Sequence, residues 1–71
     1  NGQVHEAMFA YEQAVGLDPG SFHAMWSLAT VYQSEGFKPQ ALATWQRAAV
    51  LCTDERQRET VFENIRKLKR L

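Results

Sequence analysis

An all-α fold is predicted for this 71-residue chain by three features of its sequence. Apolar residues recur at spacings of three and four, as they do on one face of a helix with 3.6 residues per turn. No stretch alternates apolar and polar residues in the way of a half-buried strand. The third feature is self-similarity. Displaced by 34 positions, Gly2 falls on Gly36, Ala7 on Ala41, Tyr11 on Trp45, Ala14 on Ala48 and Leu17 on Leu51. Small residues meet small ones and bulky residues meet bulky ones, the mark of a repeated supersecondary unit.

The first helix is read from Val4, Ala7, Met8, Tyr11, Ala14 and Val15. The run GLDPGS stops it, because Pro19 cannot continue a helix and Gly20 favours a turn. Ser21 is a natural N-cap for a second helix over Phe22 to Ser34. Inside that helix Met25 and Trp26 are adjacent, and neighbours on a helix point about 100° apart, so one stripe cannot hide both. Gly36 stands where a left-handed residue closes a helix, and Pro39 suits the first turn of a third helix ending near Leu51. In CTDERQ either Thr53 or Asp54 can cap a fourth helix, with Gln57 placed as in a capping box. That helix carries Val61, Phe62, Ile65 and Leu68 as one narrow apolar stripe on an otherwise charged surface.

The totals set bounds on function. Seventy-one residues make one small domain or part of a larger one, with a core that buries only about 60% of the unfolded surface. A single cysteine, Cys52, rules out an internal disulfide and argues against a Cys/His metal cluster. No apolar run approaches the roughly 20 residues a bilayer crossing needs. The opening NGQVHEAM is not a signal peptide and has no initiator Met, so the chain is expected to be cut from something longer. A soluble, cytoplasmic setting is the default, with the compartment otherwise open. The zero net charge conceals an asymmetry: residues 1–35 hold Glu6, Glu12, Asp18 and Glu35 and no Lys or Arg, a charge of −4. Residues 36–71 hold all eight basic residues against Asp54, Glu55, Glu59 and Glu63, a charge of +4.

Chemistry-bearing constellations are sparse. His5 and His23 have no Cys or second His at a ligand spacing, so no metal or cofactor is expected. Cys52 reads as a buried or half-buried structural thiol. Ser21, Ser27 and Ser34 sit in no nucleophile-elbow context, and the four glycines build no phosphate loop. Catalysis is not expected. The C-terminal NIRKLKRL is basic, but cations are favoured at a helix C-terminus and the segment has no aromatic residue for stacking bases, so nucleic acid is not favoured as a partner.

A helical hairpin of period 34 resembles the tetratricopeptide repeat, whose pattern runs W-x2-L-G-x2-Y, then A-x3-F, then P. Here Met25-x2-Leu28-Ala29-x2-Tyr32 is followed by Ala41-x3-Trp45, and Ala7-x3-Tyr11 with Pro19 closes a preceding partial unit. The resemblance implies antiparallel hairpins stacked as a solenoid: the second helix of a partial repeat (1–19), a complete repeat (20–53) and a C-terminal capping helix (54–71). Met25 stands for the family's Trp, Ala29 for its Gly and Thr53 for its closing Pro. Small Ala29 and Ala41 let two helices approach closely, Tyr32 and Trp45 fill the space between hairpins, and Ala48 admits the next helix. The chain would begin mid-repeat, leaving an open N-terminal edge at Val4, Met8 and Phe22.

What the resemblance implies for function is protein–protein interaction and scaffolding, with a partner peptide in the concave groove lined by the first helix of each hairpin. Met25 takes the core slot, and Trp26 passes to the groove side with His23, Thr30 and Gln33 on the same face, the alternative being that Trp26 packs on a neighbouring repeat outside this chain. The family's carboxylate clamp needs Lys, Asn and Arg there, so a chaperone-tail clamp is not expected. The alternative is self-association into a homo-oligomer through the open N-terminal edge.

Overall fold

The computed structural model describes residues 2–70; Asn1 and Leu71, the ends of the first and last segments anticipated above, lie outside the described residues. Four helices make up the fold: α1 (Gly2–Leu17), α2 (Phe22–Ser34), α3 (Lys38–Leu51) and α4 (Glu55–Arg70). Among the described residues there is no strand, and no helix is long and apolar enough to cross a membrane. Connections at residues 18–21, 35–37 and 52–54 are short, and short links fold each helix back on the one before. α1 packs on α2, α2 on α3 and α3 on α4, and no other pair of helices brings its Cα atoms within 8 Å. The result is a slab of 33 × 29 × 16 Å.

Each boundary has a local cause. Past α1, Asp18 begins a turn in which its carboxylate accepts the Gly20 N–H at 3.3 Å and its carbonyl accepts the Ser21 N–H at 3.0 Å. Ser21, in extended backbone, caps α2 by accepting the Ala24 N–H at 3.2 Å. The end of α2 is a Schellman motif: the Phe37 N–H reaches the Tyr32 carbonyl at 2.9 Å and the Gly36 N–H reaches that of Gln33 at 3.2 Å. Gly36 adopts the φ of +82° that the motif needs, the conformation its position suggested. The apolar contact that accompanies such a motif is aromatic here, with the Tyr32 and Phe37 rings edge to face at 6.3 Å. Pro39 lies in the first turn of α3, where its missing N–H costs nothing. Between the two possible caps of α4, Asp54 is the one used: its carboxylate accepts the N–H groups of Arg56 and Gln57 at 2.8 and 3.3 Å.

The six apolar positions read on α1 are its buried or half-buried residues. Met25, Ala29, Ala41 and Ala48 have no exposed surface, and Leu28 and Trp45 are buried with them. Alanine is what allows this, because α3 is enclosed by α2 on one side and α4 on the other. Ala7, Tyr11 and Ala14, the counterparts of Ala41, Trp45 and Ala48 by the 34-residue offset, are only half-buried, since α1 has a neighbour on one side alone. Val4, Met8 and Phe22 on the anticipated open edge are likewise half-buried. Cys52 is buried, its thiol donating to the Asp54 carbonyl at 3.1 Å, and the Arg58 guanidinium donates to the Cys52 carbonyl at 2.7 Å.

One expectation for α4 needs correction. Phe62 is not in the apolar stripe: it is 43% exposed, while Val61, Ile65 and Leu68 are buried. Val61 and Phe62 are neighbours, so the angular rule that separates Met25 from Trp26 separates them too. Val61, Ile65 and Leu68 follow Met25, Ala29 and Tyr32 by 36 residues, outside the 34-residue spacing of the earlier helices.

Tyr32 ties α2 to α1 through its hydroxyl, which donates to the Glu12 carboxylate at 2.5 Å. Burial, then the bond to Glu12, then the Glu12 charge push the Tyr32 hydroxyl up to about 12 from its ordinary 10. A raised pKa means the folded state favours the protonated phenol, so this contribution is complete below pH 10 and is lost as pH climbs towards 12. The stability difference between the native chain and Tyr32→Phe should therefore shrink across that interval in chemical denaturation followed by circular dichroism. Two glycines offer opposite tests. A Cβ at Gly16 meets nothing within 4 Å, so Gly16→Ala should raise stability by about 0.4–1 kcal/mol. Gly36→Ala should lower it by roughly 1–2 kcal/mol, because alanine resists the left-handed conformation.

Candidate binding cleft

Between α2 and α4 runs an open cleft of about 450 Å³ lined by Trp26, Thr30, Gln33, Ser34, Trp45 and Asn64. Spacings of four and three put Trp26, Thr30 and Gln33 on one face of α2, forming one wall. Trp45 of α3 belongs to the floor and Asn64 of α4 to the other wall. The Trp26 ring stands edge to face against Trp45 at 5.3 Å and against Phe22 at 5.6 Å. Trp26 is therefore half-buried, anchored by two aromatic neighbours and still open on its cleft side. Such pairs are each worth about 0.5–1.5 kcal/mol beyond the area they bury.

Hydrogen bonds fix the polar groups in known orientations. Trp45 is buried, and its indole N–H donates to Gln33 Oε1 at 2.8 Å. That bond sets the Gln33 amide: the oxygen faces Trp45 and the NH2 group remains available to donate. Asn64 donates through Nδ2 to the Thr60 carbonyl at 2.9 Å, which leaves its Oδ1 free to accept. The hydroxyls of Thr30 and Ser34 give their protons to the carbonyls of Trp26 and Val31, at 2.8 and 3.0 Å, and offer only lone pairs outward. Among the described residues the Trp26 indole N–H has no protein partner and is not buried. The cleft thus presents donors at Trp26 and Gln33, acceptors at Thr30, Ser34 and Asn64, and no charged side chain.

Of the four residues anticipated on the groove side, Trp26, Thr30 and Gln33 meet in this cleft. His23, one turn earlier on α2, is exposed and lies outside the lining. Asn64, Ser34 and the part played by Trp45 were not anticipated. A signal for Asn64 does exist: Gln57, Thr60 and Asn64 follow spacings of three and four, an uncharged polar stripe on a helix charged at nine of its sixteen positions. A smaller depression of about 230 Å³ lies elsewhere, lined by Pro19, Met25, Arg47, Val50 and Leu51 and carrying no comparable polar array. Among the described residues no three His, Cys, Asp or Glu side chains gather as a metal site would require. Compared with protein-family profiles, curated proteins and solved structures, the chain matches none.

The buried indole makes Gln33 testable. Gln33→Leu keeps the bulk but strands the Trp45 N–H, which should cost roughly 1–3 kcal/mol in a urea melt. Gln33→Glu preserves the acceptor and should cost less.

Proposed function

We propose that this chain is a non-enzymatic protein-interaction module, a tetratricopeptide-like stack of helical hairpins that holds a partner segment in the α2/α4 cleft and serves as a scaffold. The observation that carries the reading is the cleft itself. Its lining is aromatic and hydrogen-bonding, and three of its residues belong to the α2 face that the repeat pattern assigns to the groove. Partial burial of an aromatic ring beside free donors and acceptors is the usual make-up of a recognition surface.

The packing order supports the stacked arrangement. In a closed four-helix bundle the first and last helices meet, whereas here each helix packs only on its chain neighbours, as in arrays that grow in one direction. The α4 helix, apolar on Val61, Ile65 and Leu68 and charged over most of the rest, has the make-up of a terminal cap. The absence of charge in the lining argues for apolar and hydrogen-bonding contacts over a carboxylate clamp.

The test is partner capture by two variants. Trp26→Ala removes the aromatic wall and should lower partner affinity at least tenfold; the fold is monitored by helical circular dichroism because Trp26 also braces Phe22 and Trp45. Thr30→Arg fills the cleft from an exposed position and should lower affinity similarly while leaving the melting curve nearly unchanged. Full affinity in both variants would refute the cleft as the binding site.

A further inference from the structure

Resting on the reading of the cleft as a partner-binding site, we infer that its occupant is an uncharged stretch of polypeptide lying extended, recognised through its own backbone amides and one apolar side chain set against Trp26. Three observations lead there. First, donors and acceptors share one cleft: Trp26 Nε1 and the Gln33 NH2 group can donate, and Thr30 Oγ1, Ser34 Oγ and Asn64 Oδ1 can accept. A ligand that satisfies both must itself offer acceptors and donors together. A peptide backbone offers one of each at every residue except proline. Second, those backbone groups must be free. In a helix they are spent within the helix, whereas a single extended segment keeps them available. Trp26 and Gln33 are seven residues apart on α2, about 10 Å along its axis, which corresponds to about three residues of extended chain.

Third, charge is missing where the surface otherwise abounds in it. The one α4 residue in the lining is uncharged Asn64, on a helix with nine charged positions, and the α2 wall has no Lys, Arg, Asp or Glu between Phe22 and Ser34. A carboxylate or ammonium entering this cleft would lose hydration without gaining an opposite charge. The same lining disfavours a polyproline segment, which has no N–H groups for Thr30, Ser34 and Asn64.

The probe is a random heptapeptide library displayed on phage and selected on the whole chain, with the Thr30→Arg variant as the counter-selection. The winning peptide is then synthesised with acetylated and amidated ends. Winners uncharged across the contacted residues, with one bulky apolar side chain, bear the inference out if two further results hold. N-methylation of at least one contacted backbone amide should weaken binding about tenfold, the worth of one hydrogen bond of about 1.4 kcal/mol. Gln33→Glu, which keeps the Trp45 bond but loses the NH2 donor, should weaken it at least as much. Winners that depend on charged residues, that bind as helices, or that tolerate N-methylation at every amide would overturn the inference and leave a protein-binding cleft in place. Winners that bind Thr30→Arg as well as the native chain would overturn both.

Discussion

Trp45 brings a large ring and a single N–H donor into the space enclosed by α2, α3 and α4, and the middle of the molecule is arranged around satisfying both. The ring needs neighbours that do not crowd it, and Ala41 and Ala48 on the same helix, with Ala29 opposite, have no exposed surface at all. The buried N–H needs an acceptor, and Gln33, half-buried on the cleft wall, supplies it. This hydrogen bond joins α3 to α2 beside their buried apolar contacts, and α4 packs against the same ring-bearing helix.

The same bond joins core to surface. Gln33 turns its oxygen inward because Trp45 is there, and for that reason its NH2 group is left for the cleft. Trp26 is in a similar position, with its ring braced by Trp45 and Phe22 and its indole N–H open. The polar groups of the cleft are thus held by buried packing and not by loops, and side chains fixed in this way have little freedom left to lose. The edge-to-face ladder Phe22–Trp26–Trp45 extends this support along α2 towards its capped N-terminus.

Much of the fold was legible because it is decided by local rules. Ser21, Pro19, Gly36 and Pro39 punctuate the chain by their own conformational limits, and α2 begins and ends where those residues place it. The separation of Met25 from Trp26 follows from helical angle alone. Phe62 falls outside the stripe by that same angle, since it stands to Val61 as Trp26 stands to Met25. The 36-residue offset of Val61, Ile65 and Leu68 is legible, but where α4 lands against α3 is not, because the path of residues 52–54, with the Cys52 and Arg58 bonds, sets it. The Gln33–Trp45 bond was hidden for a related reason: residues twelve apart on two helices meet only if the helices pack at a particular depth, and spacing within one helix does not carry that depth. His23 had the right face but the wrong turn.

The linear order of packing has a further consequence, in dynamics. A helix held by a single neighbour can detach without disturbing the rest, and among the described residues α1 packs on α2 alone, with the Tyr32–Glu12 bond as one link between them. Local opening free energies in proteins run from nearly zero at such edges up to the global value in the centre. Amide hydrogens of α1 are then free to exchange through a partial opening in which α2, α3 and α4 stay together, while those beneath Trp45 must await complete unfolding. The cleft belongs entirely to the three helices that remain, so its integrity and the attachment of α1 are separate equilibria within one small chain.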